Sequence, residues 1–409
     1  MITKLSINNF KSIKELDIDC ARVNLFIGEP NTGKSNILEA LGVLSWCATK
    51  NLPLNDFVRF EYMENLFYDN LPEQPLSVSL KENNNMNVEI EFNPQNNFFP
   101  VYYWDMSYTD LFNSRINVFN ISHGFLTDLE TGKISDDLRN LFRDRNRPLS
   151  DKSRIRRGDQ GEWFIEDDLR DYVISDKVDS LQVDLVGRTL TNLSNSMEAF
   201  GKNNIPDADF IKFYRFKEQN KFPSRFSSWL IPPYGSNLVS LISGNKKIRE
   251  TASDLFRDFG FKVMLREHVE TLELAKIIDD VIYSYPYITI SDTLQRMLFY
   301  NSAIDSNENS TLVFEEPEVH AFPSYIKQLG EKIAYDGSNQ YFIVTHNPYL
   351  FLSIVEKTPK KDVNVFATYM KDYQTKVKQA NSEQVSMLMD YDPFFNLGQI
   401  IEEDDNDSD

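Results

Sequence analysis

Cysteine and histidine are scarce in this sequence, and long apolar runs are missing. The two cysteines, Cys20 and Cys47, cannot form the disulfide framework of a small secreted domain, and no CxxC pair is present to hold zinc. No stretch reaches the roughly 20 apolar residues that cross a bilayer, and the opening residues lack the basic and apolar regions of a signal peptide. We therefore expect a cytoplasmic protein with no membrane contact.

Positive charge is also in short supply. The 43 lysines and arginines are outnumbered by 62 acidic residues, which gives a net charge of −19. A field of this sign repels nucleic acid, so contact with DNA or RNA requires a local basic patch. The apolar share of 41% is nevertheless ample for a buried core, and 409 residues are many for one simple domain. We expect a folded core with an insertion or a second lobe.

One segment, residues 139–157, concentrates basic side chains in this acidic chain. Its members are Arg139, Arg143, Arg145, Arg147, Lys152, Arg154, Arg156 and Arg157. Such a cluster can contact the phosphates of DNA or RNA, although it lacks the interleaved aromatic residues that stack on bases. It can equally pair with the acidic surface of another subunit or form a solvated loop. These three interpretations stay open.

The pattern GxxxxGK[ST] is complete from Gly28 to Ser35, which we call the phosphate loop. It lies between an apolar run at 23–27, which predicts a buried strand, and an amphipathic stretch that predicts a helix from Lys34. In this context backbone N–H groups surround phosphates, the lysine supplies a point charge, and the Ser35 hydroxyl ligates Mg²⁺. The sequence therefore predicts a site for ATP and Mg²⁺.

A second apolar run, at 311–314, ends in the two carboxylates Glu315 and Glu316. Such a strand directs its first acid at Mg²⁺ and its second at the water that attacks the γ-phosphate. Because aspartate is commoner in the first position, we expect Glu315 to act through a metal-bound water. A buried strand that ends in two solvated acids is the alternative.

The two motifs are separated by about 275 residues, far more than in simple P-loop kinases, GTPases and AAA+ motors. This separation predicts an α/β P-loop NTPase head with a mixed β-sheet lobe, whose two halves are separated by an inserted, largely helical arm. We expect head segments at 1–104 and 206–395, the arm at 105–205 and a disordered acidic tail at 396–409. The long helix of the arm is predicted from the spacing of Leu169, Val173, Val178, Leu181, Leu185, Leu190 and Leu193.

Four short motifs resemble those of the RecF/SMC-like ABC ATPases, and most closely those of the ATPase half of OLD (overcoming lysogenization defect) proteins. They are NNFKSI at 8–13, GKSNILEA at 33–40, EEPEVH at 315–320 and THNP at 345–348. Together they cover the first fifty residues and the stretch from about 283 to 356. Their order and number make the resemblance specific.

The resemblance implies a set of site residues and a dimer that closes around ATP. Lys34, Glu316 and His346 would be catalytic, with His346 as the switch histidine that reaches the γ-phosphate; a packing histidine is the alternative. The implied nucleotide-binding residues are Lys11, Ser12, Gly28, Glu29, Asn31, Thr32, Gly33, Lys34, Ser35, Asn36 and Ser291. Ser291 would open the signature helix, but Thr293 stands where the family has glycine, so a plain N-cap is the alternative.

Full-length OLD proteins continue past the switch histidine into a Toprim nuclease domain, and no such pattern follows Lys357 here. The resemblance then implies an ATPase-only relative without nuclease activity of its own. A separate effector protein, such as a nuclease, would act with it in bacterial anti-phage or foreign-DNA defence. Two alternatives stay open: a RecF-like repair ATPase that acts directly on DNA, and a module that holds ATP with negligible turnover.

Overall fold

The computed structural model describes the N-terminal part, the C-terminal part and several strands between them. The described residues are 1–49, 52–81, 85–90, 99–106, 154–157, 163–166, 172–174, 177–183, 189–194, 210–225, 228–390, 394 and 397–402. The basic residues from Arg139 to Lys152 and the tail from 403 onward lie outside these ranges. No described helix is long and apolar enough to span a membrane.

Strands dominate the first half of the chain. In chain order they are β1 (Lys4–Phe10), β2 (Ile13–Asp19), β3 (Val23–Gly28), β4 (Leu76–Lys81), β5 (Asn85–Ile90), β6 (Phe99–Met106), β7 (Arg154–Arg157), β8 (Trp163–Glu166), β9 (Tyr172–Ile174), β10 (Lys177–Val183), β11 (Thr189–Ser194), β12 (Ile211–Tyr214), β13 (Lys262–Arg266), β14 (Thr271–Ile278), β15 (Val281–Pro286), β16 (Thr311–Glu315), β17 (Gln340–Val344), β18 (Val363–Lys371) and β19 (Gln374–Gln379).

Helices follow the phosphate loop and then alternate with strands in the second half. They are α1 (Lys34–Thr49), α2 (Leu238–Gly244), α3 (Lys246–Arg257), α4 (Asp292–Asp305), α5 (Pro323–Tyr335), α6 (Pro348–Lys357), α7 (Ser382–Asp390) and α8 (Leu397–Glu402). The strands predicted before the two nucleotide motifs and the helix predicted from Lys34 are confirmed, and each strand is one residue longer than its apolar run. The strand β15 and the short helices α2, α7 and α8 were not predicted. Helix α8 corrects the disordered tail expected from residue 396, since its Leu397 and Ile400 are buried.

Two large sheets enclose helix α1. The first is antiparallel, with the strand order β11-β10-β6-β5-β4-β1-β2. The second has the order β12-β16-β17-β3-β18-β19 and is parallel except for its last strand. One apolar cluster joins α1 to the first sheet and to one face of the second, and another joins the opposite face to the later helices. The predicted α/β P-loop fold with a mixed lobe is confirmed.

The strand β3 is central to the second sheet and buried along its whole length. It lies between β17 and β18, and both neighbours run parallel to it. A strand covered on both faces needs a continuous apolar sequence rather than an alternating one, as the predicted run has. The carboxyl ends of β3, β16 and β17 meet at one edge of the sheet, which brings the motifs together.

The predicted long helix of the inserted arm is wrong for the residues that the structure describes. Three strands, β9, β10 and β11, occupy most of the span from 172 to 194. Strand β10 pairs with β6 of the head, so the sheet supplies hydrogen-bond partners that a helix would have taken from its own backbone. Valine and threonine in these segments suit strands. The predicted domain boundaries remain a prediction.

A smaller antiparallel sheet, β13-β14-β15, projects a hairpin from the second half of the chain. Leu272 and Leu274 of β14 are buried, whereas every residue of β15 is exposed. The hairpin turns at Asp279 and Asp280, which both have positive φ angles, as a two-residue hairpin turn requires. Alternating burial is absent from β15, which explains why its pattern did not predict a half-buried strand.

Candidate nucleotide site

The phosphate loop connects the buried strand β3 to helix α1 through a backbone that few residues can adopt. Asn31 and Gly33 have φ angles of 62° and 87°. A Cβ atom at Gly33 would lie 1.9 Å from the Thr375 hydroxyl oxygen and 2.7 Å from that of Ser12, so only glycine fits. Successive N–H groups in such turns form an anion-binding nest, and the N-terminus of α1 adds its partial positive charge.

Lys34 is folded back over this loop. Its Nζ donates to the carbonyl oxygens of Gly28 and Glu29, at 3.0 and 2.5 Å, and lies 3.3 Å from the Thr32 hydroxyl. Burial lowers the pKa of Lys34 to about 8, against the opposing effect of the Glu316 and Glu29 charges. The two carbonyl oxygens and the hydroxyl that Lys34 contacts are neutral. A phosphate anion is therefore the stronger acceptor for this ammonium group.

A chain of hydroxyl and amide groups fixes the loop from the side. The Ser12 and Thr375 hydroxyls are 2.6 Å apart, and Thr375 Oγ1 donates to the Thr32 carbonyl at 3.1 Å. Asn36 Nδ2 donates to Ser12 Oγ at 2.7 Å. Ser12 and Asn36, two of the predicted nucleotide-binding residues, therefore contact the loop and each other. Thr375, on β19, was not predicted.

Glu315, the last residue of β16, is bound by two arginines. Arg59 Nη2 lies 2.8 Å from its Oε1, and Arg215 Nε and Nη2 lie 3.0 and 2.9 Å from its Oε2. A carboxylate has about four lone-pair sites, so three arginine bonds leave limited capacity for another donor. This geometry is compatible with the expected contact through a metal-bound water, which stays a prediction.

A second acid, Glu39 of α1, is fully buried among the same cations. It accepts hydrogen bonds from Lys11 Nζ, from Arg59 Nε at 2.6 Å and from Arg215 Nη2 at 3.3 Å. We call Lys11, Arg59, Arg215, Glu39 and Glu315 the charge cluster. Lys11, predicted to bind nucleotide, is directed at Glu39 and the Arg59 carbonyl. The cluster ties α1 to β16 beside the phosphate loop.

Glu316 and His346 face each other across the carboxyl ends of β16 and β17. His346 Nε2 lies 3.6 Å from Glu316 Oε1. Burial and then the charge of Lys34 lower the pKa of His346, while Glu316 opposes this effect. Glu316 has a φ angle of 44°, an uncommon conformation for a non-glycine residue that often marks a functional position. The predicted catalytic pair is brought together.

The predicted signature segment begins with Ser291, the N-cap of α4. Its side chain makes no capping hydrogen bond, which weakens the interpretation of Ser291 as a plain N-cap. Thr293, in the position of the family's glycine, donates its hydroxyl to the His320 carbonyl at 3.0 Å. The His320 ring is largely exposed, with Nδ1 3.3 Å from Asp292 Oδ2, so this histidine interacts with α4 rather than with the phosphate loop.

The donor set at this edge fits a nucleotide with Mg²⁺. The cation prefers hard oxygen ligands and retains several waters, and Ser35, Glu315 and Glu316 supply only oxygen donors. Ser35 would hold the ion directly and Glu315 through a water, and bound Mg²⁺ would supply charge neutralisation to the phosphates. Among the described residues, no group of three or more His, Cys, Asp or Glu forms a separate metal site.

The sequence interpretation missed Arg59, Arg215 and Thr375, which complete the site. A signal for the arginines was present: Glu39 lies between Leu38 and Ala40 on a buried stretch of α1. A fully buried carboxylate needs a cationic partner. That argument predicts a buried cation near Glu39, but it cannot say which of the 43 basic residues supplies it.

The central parallel sheet, the phosphate loop and the two facing acidic and histidine motifs define a P-loop ATPase. Residues 1–222, more than half of the chain, match the family model AAA_15, described as AAA ATPase domain. The chain belongs to that family. The narrower resemblance to OLD proteins remains a prediction.

Comparisons with individual proteins extend over less of the chain or show weaker similarity. The chain is 31% identical over 98 residues to the DNA replication and repair protein RecF of Leptospira interrogans. This match covers 22% of the chain. It spans about a quarter of that relative's length, 27%. Two solved SMC head domains are similar in fold. The one from Thermotoga maritima covers 93% of this chain, and 99% of it is covered in return. The one from Pyrococcus furiosus, bound to a domain of ScpA, covers 95% of this chain, and 98% of it is covered in return. Their identities are 11% and 12% and their TM-scores 0.35 and 0.44, too low to support any assignment.

Proposed function

We propose that this protein hydrolyses ATP with Mg²⁺ and uses the nucleotide to close a homodimer. The observation that carries the proposal is the position of Glu316 and His346, which lie 3.6 Å apart. Both interact electrostatically with Lys34 of the phosphate loop. Glu316 would accept a proton from the attacking water, and His346 would contact the γ-phosphate. Lys34 would leave its carbonyl partners for the phosphates.

Dimer closure is supported by the Ser291 side chain, which makes no capping hydrogen bond within its own helix. Its hydroxyl does not cap α4, and the N-terminus of a helix favours a phosphate. In a head-to-head dimer this serine would cover the nucleotide of the partner. Thr293 in place of glycine makes backbone approach less close, so we expect slow turnover.

The central experiment compares nucleotide binding with hydrolysis. Lys34→Ala should abolish or severely weaken binding of labelled ATP, because the loop loses its phosphate cation, whereas the exposed Lys14→Ala should bind as the parent does. Glu316→Gln should bind ATP but stall hydrolysis and accumulate the closed dimer in light scattering with Mg²⁺. Unchanged ATP affinity in folded Lys34→Ala protein, or parental hydrolysis by Glu316→Gln, would overturn the assignment.

The biological role we propose is that of a sensor or scaffold for a separate effector, such as a nuclease, in bacterial anti-phage or foreign-DNA defence. Support comes only from the resemblance of the motifs at 8–13, 33–40, 315–320 and 345–348 to OLD proteins. Purified protein should leave supercoiled DNA, linear DNA and RNA intact with Mg²⁺ or Mn²⁺, with and without ATP. Cleavage that disappears with a point mutation in this chain would refute the two-component proposal.

The second candidate is a repair ATPase that acts directly on DNA, which the similarity to RecF favours. Under this proposal the basic segment at 139–157 would contact phosphates, and DNA should stimulate hydrolysis. Replacing Arg154, Arg156 and Arg157 by glutamate should then weaken binding and flatten its salt dependence. Absence of nucleic-acid binding by the parent at low salt excludes this role and leaves Arg154–Arg157, which form strand β7, as a protein contact or a solvated surface.

A further inference from the structure

Glu318 is a carboxylate that the roles assigned so far do not use. It lies two residues beyond Glu316 and is 5% exposed. Its Oε1 accepts a hydrogen bond from the Thr345 hydroxyl at 2.6 Å and another from the backbone N–H of His346 at 3.1 Å. Its Oε2 is buried and has no hydrogen-bond partner among the described residues. Burying a carboxylate in this way is costly, so its retention calls for an explanation.

The two bonds to Glu318 fix the segment that carries the switch histidine. Thr345 Oγ1 also accepts from the Asn347 backbone N–H at 3.0 Å. Asn347 in turn caps α6, where its side chain accepts from the N–H groups of Tyr349 and Leu350. The backbone of His346 is therefore held on both sides, and its ring faces Glu316. Glu318 is the one side chain that bonds to both Thr345 and His346 in this region of described structure.

We propose that Glu318 is a positioning residue, whose carboxylate holds the Thr345–Asn347 segment so that the His346 ring stays beside Glu316. The inference rests on the proposed function, in which Glu316 and His346 act at the γ-phosphate. Only Oε1 makes the holding bonds, so an amide oxygen in the same place can replace it. The requirement is an acceptor at that position rather than a charge.

A double-mutant cycle on ATP hydrolysis tests this directly. Glu318→Ala should lower kcat about tenfold or more with little change in KM for ATP, since the lost effect is exerted in the reaction and not in binding. Glu318→Gln should restore kcat to within about threefold of the parent. Because Glu318 acts through His346, combining Glu318→Ala with His346→Ala should give the kcat of His346→Ala alone. Losses that multiply, or a parental kcat in Glu318→Ala, would overturn the proposal.

A second measurement does not depend on hydrolysis. With selectively labelled histidine, the NMR signals of the His346 ring should shift in nucleotide-free Glu318→Ala and return in Glu318→Gln, while those of the exposed His320 stay in place. The matched control is Glu356→Ala, an exposed acid on α6. If the parent hydrolyses no ATP, the proposed function fails, and the ring signals still decide the positioning role. Unmoved His346 signals in folded Glu318→Ala would refute it; if the alanine variant does not fold, Thr345→Val supplies the same test.

Discussion

Replacing Glu39 by glutamine tests how strongly the charge cluster stabilises the fold. The change keeps the shape of the side chain and removes its negative charge, while the Lys11 side chain remains only 13% exposed. Lys11 then lies buried without its anionic partner. Arg215 keeps its bonds to Glu315, so the loss falls mainly on Lys11.

The expected cost follows from the burial of each partner. Removing one member of a buried ion pair costs about 3–5 kcal/mol. Arg59 is 59% exposed, so water screens its share, which should be about 1 kcal/mol or less. We therefore expect Glu39→Gln to lower the free energy of unfolding by about 3 kcal/mol near pH 7, the low end of that range.

The pH dependence of this loss has a definite sign. Burial lowers the pKa of Lys11, and the charge of Glu39 opposes that effect, so the Lys11 pKa should fall further in Glu39→Gln. The unfolded chain then binds more protons than the folded one as the pH approaches the ordinary lysine value. Stability of the variant should rise with pH relative to the parent, and the difference between them should shrink toward pH 10.

Urea unfolding followed by circular dichroism is the appropriate assay, at low salt and at two pH values. The exposed Glu15→Gln on β2 is the matched control and should change stability by less than about 0.5 kcal/mol. If Glu39→Gln lowers the free energy of unfolding by less than about 1 kcal/mol, with an unchanged urea dependence, the Lys11 ammonium group is hydrated in the variant. The reasoning about the buried cluster would then be wrong.

Two other substitutions test the phosphate loop and the segment beside it. Gly33→Ala should destabilise the fold by at least about 1–2 kcal/mol, from its positive φ alone. It should also weaken ATP binding, because its methyl group would clash with Thr375. Gly337→Ala, where the added atom meets nothing within 4 Å, should be neutral in both assays. Burial raises the pKa of Glu318 to about 7 from 4.5, so the folded state binds the extra proton and the parent loses stability as pH rises through that window. Melting temperatures of Glu318→Gln relative to the parent should therefore increase from pH 4.5 to pH 8, and a constant difference would contradict this.

The sequence predicted most elements of the nucleotide site because each has a local signature. The phosphate loop, the two acids at the end of β16 and the histidine after β17 each lie at the end of an apolar strand. Parallel strands bring their carboxyl ends to one edge. The charge cluster has no such signature. Arg59 lies in an irregular segment and Arg215 follows the short strand β12, so only the three-dimensional structure brings them to Glu39 and Glu315.

The inserted region shows the opposite limit. Leucines and valines at 169–193 have a spacing compatible with a helix, and the same residues also suit strands. What decided the outcome in β10 was the free edge of β6, to which it is antiparallel. A partner strand from the head cannot be recognised within a window of residues, so tertiary pairing overrode the local pattern.

The position of β3 has a consequence for how the protein assembles. Both of its partners, β17 and β18, are encoded roughly 320 and 340 residues further along the chain. At about 5–20 residues per second, a ribosome needs tens of seconds to deliver them, and closing so long a loop has an entropic cost before any pairing compensates it. Until then the strand that carries the phosphate loop has no sheet to join. Nascent chains that end before residue 340 lack both partners of β3 and should not retain ATP, so capture of the nucleotide reports that synthesis has reached β17.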